Sequence, residues 1–531
     1  MPSGQQARGR ASAISVSVRR ALAVAAPDAV VGPDAVVGPA AVAAPDAATT
    51  LRLDVCARLL ADGAVVLGGQ PMRMLRLTPG GARLIRAWRD GSPVTEAPAA
   101  RRLAARLIEI GLAHPVPASA RPPGVRVAIV IPVRDRADLL AACLARVGPA
   151  AEIVVVDDGS RDPAAVAAVA REGGARVLRL SDGAGPAAAR NAGLRATTAP
   201  LIAFVDSDTT PTPGWLPTLE AHFDDPKVAA VAPRVMVPAG GSTLSAYEAV
   251  RSPLDLGPEP GVVGPGQRVG FVPAAALVVR RAALGDGGFD VAMRYGEDVD
   301  LVWRLARAGW RVRYEPRARV EHPHRAGPRA WLSQRVAYGS SAAPLAVRHP
   351  GLMRHLVLPT WGLAPWLLVL GGRPRLALVA ALGGTAAVAA RLPAVPDARG
   401  QMLRVAAGAH LRLAEQTLES ASRAYPPLVL AGAMGSRRGR RLVAAGLAIC
   451  TGADWWRRRP RMDPVSYGLL RTADDLAYAT GVWLGCLRAR EPGPLVPGIV
   501  RAAQRGRGGP GERRGRGKRG GRGKRGGRDD A

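Results

Sequence analysis

Between residues 125 and 330 the chain alternates short, mostly apolar and β-branched runs with stretches of helical period. The runs lie at 127–133, 153–156, 177–180 and 201–205, and helical stretches at 137–147, 163–172 and 186–196 fall between them. A strand with one wet face alternates apolar and polar residues, whereas a run that is apolar throughout belongs to a strand covered on both faces. The repeated order of strand and helix therefore predicts an α/β domain built on a doubly wound, parallel sheet.

The flanks have other patterns. Residues 1–50 are of low complexity, with Pro-Asp-Ala-Val-Val-Gly at 27–32 repeated at 33–38, and are expected to form a disordered leader. Arg19 and Arg20 precede only six apolar residues. A secretion signal needs a core of roughly 7–15, so none is expected. Residues 51–117 predict strands near 51–53, 64–67 and 74–77, a helix capped by Thr78 and an amphipathic helix over 99–110. That order resembles a winged-helix, peptide-binding module; a plain packing domain fits the pattern equally. A proline-rich linker follows at 115–123. Residues 331–495 read as helical. Within them 356–372 and 376–390 carry no charge, and Arg373 and Arg375 stand between. Both are shorter than the ~20 residues of a spanning helix. A membrane hairpin, interfacial helices and buried helices all fit. The Arg- and Gly-rich tail, 496–531, is expected to be disordered.

Composition sharpens this picture. The 531 residues carry 73 basic and 42 acidic side chains, a formal charge of +31, and only Lys227, Lys518 and Lys524 are lysines. An arginine-biased genome explains much of that excess. Its distribution adds information, because residues 331–500 hold 21 Arg against eight acids and residues 501–531 hold twelve basic residues against three acids. Positive charge beside the most apolar segments points to an anionic membrane surface rather than to nucleic acid. Localisation at the cytoplasmic face of the cell membrane, or peripheral association with it, is the corresponding expectation. Cys56, Cys143, Cys450 and Cys486 form no CxxC pair, which argues against a disulfide framework and a cysteine zinc site.

The candidate chemistry sits where the apolar runs end, the edge at which open α/β sheets bind ligands. The first run leads into Pro132-Val133-Arg134, and the second into Asp157-Asp158-Gly159-Ser160. Two acids beside a core need partners. A helix cap by Asp158 or Ser160 is the plain alternative. Gly183-Ala184-Gly185-Pro186 then opens a helix carrying Arg190, and a helix N-terminus of this kind presents free amides to an anion. The fourth run delivers Asp206-Ser207-Asp208, hard oxygen ligands suited to Mg2+ or Mn2+ and a diphosphate. Glu297 and Asp298 stand in the first turn of a helix whose apolar face is Leu301, Val302 and Leu305.

Together, Pro-Val-x-x-Arg, Val-Asp-Asp-Gly-Ser, Ala-Arg-Asn-x-Gly, Asp-Ser-Asp and Gly-Glu-Asp-x-Asp, in that order over 125–330, resemble the family 2 inverting glycosyltransferases of GT-A fold. The flanking regions resemble a narrower group, the mycofactocin-system glycosyltransferases. The resemblance implies transfer of glucose from UDP-glucose to a peptide-derived redox cofactor or its precursor. It implies that Pro132, Val133, Arg134, Asp157 and Asp158 hold the base and ribose, and that Arg190 lies against the nucleotide. Asp206 would contact ribose or metal, Asp208 would bind the metal, Asp298 would be the general base and Glu297 would orient the acceptor. His322, in Glu321-His322-Pro323-His324, stands where some GT-A enzymes supply a further metal ligand. Arg134 and Asp135 replace the aromatic residue and Asn of many members. Trp331-Leu332-Ser333-Gln334-Arg335 lacks the Gln-x-x-Arg-Trp of processive members. Two other functions compete with this expectation. One is transfer to a polyprenyl phosphate or other lipid or polysaccharide acceptor. The other is an inactive, peptide-binding scaffold, which would have no need to keep Asp206, Asp208 and Asp298 together.

Overall fold

The computed structural model describes residues 49–500, apart from 70–71, 118–126, 182, 239, 286, 326 and 392–398. Residues 1–48 of the expected leader and almost all of the basic tail lie outside the described residues, as does most of the linker, and Thr50 already belongs to a strand.

The first module pairs β1 (Thr50–Leu53) with β5 (Ala113–Val116) and stacks β2 (Arg58–Leu60), β3 (Val65–Gly68) and β4 (Arg73–Arg76) into a three-stranded antiparallel sheet. Two helices, α1 (Pro79–Arg89) and α2 (Pro98–Glu109), close it. Thr78 caps α1 by accepting from the Gly81 amide at 3.2 Å, as its position before Pro79 predicts. Ile85, Trp88, Leu107 and Leu112 form its core.

The central domain comprises β6 (Val127–Val133), α3 (Ala137–Leu144), β7 (Glu152–Asp158), α4 (Pro163–Glu172), β8 (Arg176–Leu180), α5 (Pro186–Ala196) and β9 (Leu201–Val205). It continues with β10 (Thr210–Pro211), α6 (Trp215–Glu220), β11 (Val228–Met236), α7 (Thr243–Arg251), β12 (Gly261–Val263), β13 (Ala276–Arg280), α8 (Arg281–Leu284), α9 (Glu297–Arg307) and β14 (Arg311–Glu321). The sheet order is β10-β14-β11-β13-β9-β6-β7-β8, with β12 beside β14. The half predicted from the apolar runs, β8-β7-β6-β9, is parallel. The other half is not, since β13 runs antiparallel to both β9 and β11. The sheet is thus mixed, which corrects the all-parallel expectation. Strand order reverses between β6 and β9, and this switch point opens a crevice at their C-terminal ends. Apolar layers cover both faces of the sheet. Val130, Val156, Phe204 and Leu277 pack on one side, and Ile129, Val155, Val205 and Val278 on the other.

Beyond β14 the chain forms α10 (Pro328–Ser340), α11 (Ala342–Arg348), β15 (Val357–Pro359), α12 (Thr360–Leu370), α13 (Pro374–Arg391), α14 (Arg399–Ala424), α15 (Pro426–Gly435), α16 (Arg437–Arg458), α17 (Pro464–Ala489) and β16 (Gly498–Val500). The charge-free stretches become α12 and α13. Among the described residues no helix is long and apolar enough to cross a membrane. Helix α10 crosses α17 closely. Gly339 faces the Tyr478 carbonyl and Gly481 faces the Val336 carbonyl, so closely that a methyl group at either position would collide with backbone.

A buried polar network locks this region to the central domain. Arg251 on α7 pairs with Asp454 on α16 at 2.5 Å and with Asp475 on α17 at 3.5 Å. Glu248, also on α7, accepts from Trp331 at 2.8 Å and pairs with Arg335, which reaches Asp474 at 2.9 Å. All seven residues are buried. Each carboxylate holds a cation, which is what makes burial of so much charge tolerable.

Candidate active site

The crevice at the β6/β9 switch point opens into a cavity of about 1440 Å3. Asp158, Asp206, Asp208, Glu297, Asp298 and His322 all line it. They come from the ends of β7, β9 and β14 and from the start of α9, over 160 residues apart in sequence. Pro132, Val133 and Arg134, at the end of β6, form part of its wall.

Two of the expected ligands are turned to other partners. Asp157 does not line the cavity. It is buried, pairs with Arg179 from the neighbouring strand β8 and accepts from the Ser160 amide at 2.8 Å. It therefore supports the turn at 158–160 instead of touching a ligand. Arg190 lines the cavity, but its cation is committed. One amino group donates to Asp206 at 2.7 Å and the other to Glu297 at 2.8 Å, and its guanidinium lies 5.2 Å over the Phe289 ring. Burial opposes its charge, and the two carboxylates more than offset that, holding its pKa above the ordinary value. Arg190 is a strut between the end of β9 and the start of α9. Asn191, one residue on, fixes the 288–290 turn by donating to the Phe289 carbonyl at 2.7 Å and accepting from its amide at 2.8 Å.

Asp158 faces the cavity while accepting from the Ala184 and Gly185 amides at 2.7 and 2.9 Å. The glycine turn that opens α5 is thereby tied to the end of β7. Helix α9 starts at Gly296, whose φ of +81° suits glycine. The three acids in its first turn, Glu297, Asp298 and Asp300, meet the positive end of the helix dipole. Asp300 is spent on His349 and Arg304. Asp298 accepts from the Ala274 amide at 3.2 Å and from Val299 at 2.8 Å. Burial raises its pKa, and Asp206 adds to the rise. Burial and the neighbouring Asp298 charge push the Glu297 carboxyl up to about 7, against the pull of Arg190.

Asp206, Asp208 and His322 each offer one ligand atom within 4.8 Å of the others. The His322 Nε2 lies 3.2 Å from Asp208 Oδ1. Burial alone would raise Asp208; the hydrogen bond and charge of His322 outweigh it and hold the carboxylate low. Two carboxylate oxygens and one imidazole nitrogen, preassembled and open to a large cavity, fit a divalent cation that keeps positions free for phosphate and water.

The pattern of apolar runs missed a second set of lining residues. Arg325, three positions past His322, makes no ion pair among the described residues, although Asp208 feels its charge. Tyr338 on α10 lines the same cavity, and burial pushes its hydroxyl pKa well above the ordinary value. The far wall comes from Val55, Arg58 and Met72 of the first module and from Val405 and Leu413 of α14. Val405 packs on Leu60, Leu67 and Met74, so α14 and the first module meet over the cavity. The only sequence signal for this was the closeness of Arg325 to His322; the rest depends on how distant segments dock.

A cation-ready acidic cluster at the switch point of a mixed α/β sheet, with a buried carboxylate opposite it, defines a nucleotide-sugar transferase site. Residues 128–284 match glycosyl transferase family 2. The chain is 41% identical over 463 residues to the pre-mycofactocin glycosyltransferase of Mycobacterium tuberculosis, covering 85% of this chain and 97% of that protein. It is 32% identical over 201 residues to the succinoglycan biosynthesis protein ExoU of Rhizobium meliloti, covering 35% of this chain and 58% of that one. A mannosyltransferase of Pyrobaculum calidifontis, solved with GDP-Man and Mn2+, overlays with a TM-score of 0.40 at 19% identity, over 69% of this chain and 89% of its own. The protein belongs to glycosyl transferase family 2 and is a glycosyltransferase. Within that family it stands with the pre-mycofactocin glycosyltransferases.

Proposed function

We propose that the protein transfers glucose, with inversion, from UDP-glucose to a hydroxyl of pre-mycofactocin, the acceptor named for its relative in M. tuberculosis. The observation that carries the enzymatic reading is convergence. Asp158, Asp208 and Asp298 face a single cavity whose volume exceeds the roughly 300–1,000 Å3 of a one-ligand pocket. Donor and acceptor both have room.

Pro132, Val133, Arg134 and Asp158, which line the cavity, would hold the base and ribose. Asp206, Asp208 and His322 would hold Mg2+ or Mn2+, which when bound supplies positive charge to the diphosphate. Arg325 is the protein's own cation for the departing nucleoside diphosphate, a role that Arg190 cannot fill while it bridges Asp206 and Glu297. Asp298 accepts the proton of the acceptor hydroxyl as that oxygen attacks the anomeric carbon from the face opposite the leaving group. The Asp298 carboxylate is basic enough because burial disfavours its charge. Glu297 and Arg190 hold the start of α9 in register with the end of β9.

Incubating the purified protein with a panel of nucleotide sugars, with and without Mn2+, and following slow release of nucleoside diphosphate identifies the donor. UDP-glucose turnover that depends on the cation is the expected result. Turnover of a different sugar nucleotide alone would overturn the donor assignment, and transfer independent of any divalent cation would overturn the metal assignment.

A further inference from the structure

Helices α12 and α13 form one hairpin, and α15 and α16 a second. Neither carries an acid where it is apolar: among residues 360–391 and 426–453 there is no Asp or Glu. Both show large apolar side chains to solvent. On α13, Leu378 is 62% exposed and Val379 64%; on α15, Leu428 is 62% and Met434 77% exposed. Helix α15, Pro-Pro-Leu-Val-Leu-Ala-Gly-Ala-Met-Gly, has no charged or hydrogen-bonding side chain on any face. Monomeric proteins rarely leave contiguous apolar surface beyond a few hundred Å2 uncovered.

The two hairpin tips lie together. The Arg438 guanidinium donates to the Val369 carbonyl at 3.0 Å and packs on Gly372, so the α15–α16 turn touches the α12–α13 turn. The tips gather Arg373, Arg375, Arg437, Arg438, Arg440 and Arg441. Six cations with no acid among them, bordering exposed leucines, match the two layers of a lipid interface: anionic headgroups beside acyl chain. A second copy of the same surface would set six arginines against six. Helix α13, at 18 residues, is about 27 Å long and α15, at ten, about 15 Å. These lengths suit helices that lie in the interface, in keeping with the lack of a spanning helix among the described residues.

We propose that the paired α12–α13 and α15–α16 hairpins form a docking surface for an anionic lipid membrane, with their apolar faces dipped into the headgroup boundary and their arginine-bearing tips on the phosphates. The surface lies outside the catalytic machinery and does not depend on the identity of donor or acceptor.

The test is co-sedimentation of the full chain with phosphatidylcholine vesicles, with and without 30% phosphatidylglycerol. Binding to the anionic vesicles, falling as salt rises, is expected. The tail at 501–531, of net charge +9 (twelve basic less three acidic residues), is itself able to bind such vesicles by charge. The decisive variant therefore keeps every arginine. Leu428→Glu/Met434→Glu is expected to lower partitioning at least tenfold while leaving donor hydrolysis unchanged, which shows that the chain is still folded. Arg437→Glu/Arg440→Glu/Arg441→Glu is expected to lower it about a hundredfold on anionic vesicles only. Undiminished binding by the Leu428/Met434 variant would overturn the proposal and assign the binding to the tail. So would equal partitioning of the wild type onto neutral and anionic vesicles. A vesicle-free change from dimer to monomer in the Leu428/Met434 variant would also overturn it, by showing a second copy over the surface.

Discussion

The acids of this site differ in what surrounds them, and that decides their work. Asp298 has two backbone amides and burial, Asp208 has an imidazole, and Asp157 has an arginine. Asp298→Asn keeps the shape and removes the proton acceptor. Transfer is expected to fall by about 10²–10⁴-fold, while calorimetry shows UDP bound as tightly as before. Glu297 sets the pH response. Its carboxyl is pushed up to about 7, so as pH falls through that value it takes up a proton and its ion pair with Arg190, which holds the start of α9, is lost. The profile of kcat/KM against pH is expected to rise through about 7. In Glu297→Gln the acid limb is expected to move to lower pH, because a charge next to Asp298 is gone; an unmoved limb would rule out the coupling. The acids themselves were legible, since each follows an apolar run or opens an amphipathic helix. Their directions were not. Asp157 and Asp158 are neighbours of one type on opposite faces of β7, and which face meets the cavity follows from Arg179 beside one and the Ala184 and Gly185 amides beside the other. In the same way Arg190 looked free for phosphate until Glu297, 107 positions on, took one of its amino groups.

At the scale of elements, buried strands and capped helices were readable because their cause is local. Strands β6 and β9 are apolar throughout, β7 has an apolar centre at 153–156, and α4 and α5 each begin with proline. Strands β11, β13 and β14 were harder. β14 alternates arginine with buried residues and owes its place to Asp225, which pairs with Arg311 and Arg313 across the sheet. Helices α12 to α16 showed no strong period, so their wet and dry faces were unreadable; which face is covered follows from packing between helices far apart in the chain. The α10–α17 crossing rests on Gly339, Gly481 and Gly485, none of which leaves room for a methyl group. Gly481→Ala is expected to destabilise the protein by about 1–3 kcal/mol, since a methyl group there collides with backbone that has no rotamer to yield. Thermal unfolding measures it. Because α10 carries Tyr338 into the cavity, donor hydrolysis is expected to fall in the same variant.

In the whole molecule, three regions of the chain enclose one space. The Arg251–Asp454–Asp475 cluster is the bolt between two of them. Asp454→Ala leaves Arg251 and Arg471 short of a counter-charge in a dry setting, at a cost of about 3–5 kcal/mol. Limited proteolysis is expected to cut first between α14 and α16, with the central sheet intact. Arg251, Arg458 and Arg471 hold the Asp454 carboxyl below its usual range, against burial. The stability it contributes is therefore complete above the ordinary carboxylate range and is lost as pH falls through its lowered value. Opposite that bolt, the roof over the cavity is thin: Val405 of α14 resting on Leu60, Leu67 and Met74. One side of the chamber is thus braced by ions and glycine-tight helices, and the other leans on a few methyl groups. The chamber is expected to yield first on that lighter side, with amide hydrogens at the start of α14 exchanging well before those of α17, to which Ser422 and Arg423 tie its other end.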